Sequence, residues 1–164
     1  MIGVASALAS DAPFTPCIEQ VQRLLHNRNF VAATTVVDQL LSTEPKLAEA
    51  WRCKGIALGW AEDHAGAIKC FDMGLAIEPG NFSLHYQKAV ALMFLNRYEE
   101  SIEEYKKAHE LCAWEPSFPF NLGILLLGLD RSDEAIAHLK TASRLGHPRA
   151  NEMIARLADN AATA

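Results

Sequence analysis

The sequence predicts an all-α protein. Three observations carry this: a 34-residue period, two apolar patterns of helical spacing within each period, and repeating columns of small and large apolar residues. The 164 residues are 50% hydrophobic and 21% charged, the composition of one globular domain that buries roughly two-thirds of its unfolded surface. Low hydrophobicity combined with high charge, the mark of disorder, is absent. The net charge is -5, from 15 Lys+Arg against 20 Asp+Glu, with no basic stripe, so nucleic acid is not an expected partner. No apolar run reaches the length of a bilayer span, so no membrane role is expected.

Residues 1–13 are mildly apolar with no Lys or Arg before them and read as a flexible leader, with a secretory signal sequence as the alternative. Four abutting blocks follow, residues 14–47, 48–81, 82–115 and 116–149. Position 8 of the blocks reads Val21, Gly55, Ala89 and Gly123, and position 20 reads Ala33, Ala67, Ser101 and Ala135. Small side chains there let two helices approach backbone to backbone. Leu24, Leu58, Leu92 and Leu126 at position 11, and Val37, Phe71, Tyr105 and Leu139 at position 24, fill the space beside that approach. Polar turns split the two helices of each block at Arg28-Asn29, Glu62-Asp63, Asn96-Arg97 and Asp130-Arg131. Ser132, with Asp133 and Glu134 behind it, marks a helix start. Pro45 and Pro79 end the second helices of the first two blocks, since proline cannot continue the hydrogen-bond ladder. Ala150, Met153, Ile154 and Leu157 then recur at helical spacing, so residues 148–159 read as a capping helix. Residues 160–164 read as a frayed tail.

The block Trp51…Gly55…Leu58…Ala67…Phe71…Pro79 resembles the signature of the tetratricopeptide repeat (TPR) family, a 34-residue helix–turn–helix. The resemblance covers residues 14–149 and implies a right-handed solenoid of four repeats with a C-terminal cap. Position 7, often leucine in the family, is Gln20, Lys54 and Lys88 before Leu122. The resemblance further implies that the first helix of each repeat lines a concave face. On that face it places Arg52, Ile56 and Trp60 in the second block, Tyr86, Gln87, Val90, Met93 and Phe94 in the third, and Phe120, Asn121, Ile124 and Leu127 in the fourth. These apolar residues are surplus to the packing columns within the repeats and make the first helices apolar on two faces, the pattern of a surface that takes a partner. Gln87 and Asn121 would bind a ligand backbone through their amides.

The function expected is a non-enzymatic protein–protein interaction module that holds an apolar extended or helical segment. The carboxylate clamp of some TPR co-chaperones is not matched, because Arg52 is the single cation at the clamp positions of the later three blocks. Glu115-Pro-Ser-Phe-Pro-Phe is similar to a junction in the class II chaperones of type III secretion, so a chaperone for apolar translocator clients is one alternative. The mechanical reading of the same junction has Ser117 capping a helix and Pro119 in its first turn. A self-assembling scaffold, a homodimer through the concave face, is another alternative, and cover by the leader is a third. No cofactor and no metal are expected: there is no glycine-rich phosphate loop, no HExxH, no GxSxG and no CxxC, and no two histidines share a repeat position. Glu99, Glu100, Glu103 and Glu104 read as a solvated charge run, with Glu103 and Lys107 an i,i+4 pair. The four cysteines form no disulfide framework, consistent with free thiols in the cytoplasm.

Overall fold

The structure, a computed structural model, describes residues 14–163. The leader 1–13 lies outside the described residues. Among them there are nine helices and no strand. The chain divides into two compact units, Met1–Pro79 and Gly80–Ala164, and each is taken by itself.

The first unit holds α1 (Thr15–His26), α2 (Phe30–Thr43), α3 (Ala48–Trp60) and α4 (His64–Ile77). The Thr34, Thr35, Val36 and Val37 run in α2 has poor helix propensity. Burial of Ala33, Val37, Leu40 and Leu41 against α1 and α3 overrides it. Asn29 and Asp63 cap α2 and α4, accepting from the Ala32 N–H at 3.3 Å and the Gly66 N–H at 2.8 Å. Asp63→Ala should cost about 1 kcal/mol in urea denaturation by freeing that N–H. The Trp51 indole donates to the Pro45 carbonyl at 2.8 Å, pinning the loop before α3. Lys54, at a position where the family often has leucine, pairs with Asp38 at 2.7 Å, and its ammonium lies 5.7 Å from the Trp51 ring centre.

The second unit holds α5 (Phe82–Phe94), α6 (Tyr98–Leu111), α7 (Ser117–Gly128), α8 (Ser132–Arg144) and α9 (Ala150–Thr163). Asn81 caps α5 through two backbone N–H groups, those of Ser83 and Leu84. α7 is apolar nearly all round and buries Phe118, Phe120, Leu122, Leu125 and Leu126. Ser117 is its first helical residue and not its cap; the Glu115 carboxylate accepts the Ser117 N–H at 3.1 Å instead. The Glu115–Phe120 junction is therefore accounted for by this bond, by prolines at the helix start and by burial of both phenylalanines. α9 begins at Ala150, packs Met153, Ile154 and Leu157 against Phe120, Leu139 and Ala142, and continues to Thr163, past the expected end at 159. The alanines at 161 and 162 are strong helix formers that sustain it.

All four hairpins share one turn. Arg28, Glu62, Asn96 and Asp130 have φ between 57° and 66° and stand 34 residues apart. Each closes its helix with the same pair of bonds, for example Asp63 N–H to the Leu58 carbonyl at 2.9 Å and Glu62 N–H to the Gly59 carbonyl at 3.1 Å. A glutamate in the left-handed region is strained where glycine is not. Glu62→Gly should therefore raise the unfolding free energy by about 1 kcal/mol, read from the denaturation midpoint.

The charge run on α6 is not wholly solvated. Glu104 is 7% exposed and lies between α5 and α6. Its carboxylate meets His85 Nδ1 at 2.5 Å, Lys107 Nζ at 3.1 Å and Lys88 Nζ at 3.6 Å. Lys107 thus pairs with Glu104, and Glu103 pairs with Lys106 at 2.9 Å.

Candidate functional site

In the second unit, α5 carries Tyr86, Gln87, Val90, Met93 and Phe94, and α7 carries Phe120, Asn121, Ile124 and Leu127, of which Phe120 is buried. Val90, Met93 and Leu127 are half-buried against the cluster of Ala89, Tyr105, Leu122 and Leu126. Phe94 and Ile124, on the same two helices, are 58% and 37% exposed. Tyr86 lies half-buried at the edge of the face, tilted against Phe118 with centroids 5.1 Å apart and edge-on to Tyr105 at 5.8 Å. Its hydroxyl accepts from the Asn121 amide at 3.0 Å. Burial raises the Tyr86 pKa, and the Asn121 bond opposes the rise. Asn121 therefore fixes Tyr86. Gln87, half-buried, makes no side-chain hydrogen bond among the described residues.

Phe120 does not belong to the open face. It is 7% exposed, because Gly146, at φ 87°, turns the chain after α8 and lays the His147 ring on it at 3.7 Å. The Arg149 guanidinium sits 5.8 Å from the same ring, and α9 closes the remaining side. The helical pattern put Phe120 on a first-helix face correctly but carried no sign that the segment 146–149 would cover it.

In the first unit, Arg52 is tied to Glu49 of its own helix, with Nε 2.7 Å from a carboxylate oxygen. The Glu49 hydrogen bond raises the Arg52 pKa against the effect of burial, so this cation is already satisfied. Ile56 is half-buried. Trp60 is 62% exposed and stacks on Phe30, with centroids 6.2 Å apart and planes 4° from parallel. The Arg28 guanidinium lies 5.9 Å from the Trp60 ring. Phe30 and Arg28 were not among the expected site residues. Position 17, which reads Phe30, His64, Tyr98 and Ser132, carries a ring in three blocks of four and could have drawn attention to Phe30. Among the described residues, no helix is long and apolar enough to cross a membrane.

Residues 82–113 match the tetratricopeptide repeat family. The chain is 30% identical over 71 residues to the Protein STIP1 homolog of Dictyostelium discoideum, which is 43% of this chain and 13% of that protein. It is 26% identical over 121 residues to the Peroxisomal targeting signal receptor of Candida glabrata, 72% of this chain and 20% of that one. The chain thus spans a fifth or less of the curated relatives it matches. Among solved structures, Pseudomonas aeruginosa PilF aligns with a TM-score of 0.82 at 19% identity, over 90% of this chain and 68% of that one. MamA from Desulfovibrio magneticus RS-1 aligns at 0.73 and 23% identity, over 79% and 73%. These structural likenesses show the fold. One helix pair matches the family's pattern, and the other three repeat its period and its turn: the fold is all-α and of the tetratricopeptide-repeat kind.

Proposed function

We propose that the α5–α7 face of the second unit binds an apolar segment of a partner protein, extended or helical, and that the protein acts by binding without catalysis. The observation that supports this is the exposure of Phe94 and Ile124, at 58% and 37%, on the two helices whose Val90, Met93 and Leu127 are half-buried against one cluster. Exposed aromatic and aliphatic side chains are the residue types that carry interface energy. Met93 lets such a surface adapt to different side chains, and Gln87 offers an amide for a ligand backbone. The described cysteines are unpaired and three of them are buried, with the Cys53 thiol pushed up to about 12 by burial first and the Glu49 charge second. Inert thiols of this kind suit a reducing cytoplasm.

The test is a panel of Leu- and Phe-rich peptides titrated against the parent, Phe94→Glu and Ile124→Glu. Each variant should lose at least tenfold in affinity while its circular dichroism stays helical. Undiminished binding in both removes the site from this face. A dimer in sedimentation that dissociates in both variants would assign the face to self-pairing instead.

A further inference from the structure

A second surface lies wholly within the first unit. The last residue of α3, Trp60, the first of α2, Phe30, and the turn residue Arg28 meet Leu25 and His26 around an open cavity of about 350 Å³. That volume admits one large side chain. Its wall is the parallel pair Phe30–Trp60. The neighbouring depression shares His26 and adds Arg23 and Glu19.

The charges here run against the rest of the molecule. The chain carries a net -5, yet no acidic side chain lines this cavity among the described residues. Arg28 is exposed and makes no ion pair among them, and the His26 ring makes no hydrogen bond. A guanidinium lying over an indole uses its face for the ring and keeps its edge N–H groups available, and that edge fits a carboxylate with two parallel bonds. A ligand that satisfies both features carries a flat apolar group and a carboxylate a few ångströms apart.

We propose that this cavity binds an acidic segment of a partner protein through one aromatic residue, its ring on the Phe30–Trp60 wall and a neighbouring Asp or Glu carboxylate on Arg28. The site is separate from the α5–α7 face and selects for the opposite of a purely apolar ligand.

The probe is acetyl-Asp-Glu-Phe-Glu-Asp-amide, titrated into nitrogen-15-labelled full-length protein while the Trp60 indole N–H resonance is followed. That resonance is assigned by its loss in Trp60→Phe. A saturable shift is expected, at least fivefold weaker when the central Phe is replaced by Ala and at least fivefold weaker when all four acids are replaced by Lys. Arg28→Asn keeps a residue that tolerates the left-handed turn, so its helical dichroism should persist while affinity for the acidic probe falls at least fivefold. Phe94→Glu should leave this binding unchanged, which separates the present site from the α5–α7 face. Equal affinity for the acidic and the basic aromatic peptide, an undiminished affinity in Arg28→Asn, or no saturable shift would overturn the assignment.

Discussion

Glu104→Ala is expected to destabilise the protein by about 3 kcal/mol, the cost of removing one member of a buried charged cluster. The carboxylate lies between α5 and α6 with His85, Lys88 and Lys107 around it, and its side chain is 9% exposed. Removing it takes away the carboxylate that His85, Lys88 and Lys107 share. Burial alone would raise the Glu104 pKa. The hydrogen bonds from His85 and Lys107, with the charges of Lys88 and Lys107, outweigh burial and hold it below the ordinary 4.5. A lowered carboxylate contributes stability that is complete above its unfolded value and lost as the pH falls through the folded one. The unfolding free energy of the parent should therefore decline below about pH 4.5 more steeply than that of Glu104→Gln, as measured by urea denaturation across pH 3–7. Parallel curves for the two proteins would show that the cluster does not stabilise the fold.

Gly55→Ala is the second large effect expected, about 2 kcal/mol of destabilisation despite the better helix propensity of alanine. A Cβ at Gly55 would fall 2.7 Å from Cδ1 of Phe71, a ring only 2% exposed and unable to swing away. Gly123 repeats the arrangement, its Cβ position being 2.8 Å from Leu139 Cγ. The pairs across this contact trade size: glycine faces the large Phe71 and Leu139, Ala89 shares its cluster with Tyr105, and Val21 shares its cluster with the smaller Val37. Gly55→Ala combined with Phe71→Leu should recover most of the loss, because the shorter side chain vacates the space the new methyl occupies. If the double variant is no more stable than the sum of its parts, the two positions do not share that space.

The period, the turn sites and the helix start at Ser132 were legible in the sequence, because helix pairs impose one spacing on every packing contact. The size columns at positions 8 and 24 were legible for the same reason. Less could be read where one block departs from the others. Position 23 reads Val36, Cys70, Glu104 and His138, so nothing in the column marks Glu104 as buried, and its place in a run of glutamates suggests the reverse. Phe120 shares a helix face with the open Ile124, and only the route taken by the chain after Gly146 hides one and leaves the other. The aromatic wall of the first unit joins residues 30 positions apart, the end of one helix to the start of another. Periodicity within a helix gives no information about such a meeting.

The recurrence of one chain reversal every 34 residues bears on how such an array can change length. Gain or loss of a whole period during gene duplication rejoins the backbone in the phase it already had, so the reversal and its bonding survive the splice. An insertion of any other size within a hairpin shifts the left-handed residue off its site and turns the following helix away from its neighbour.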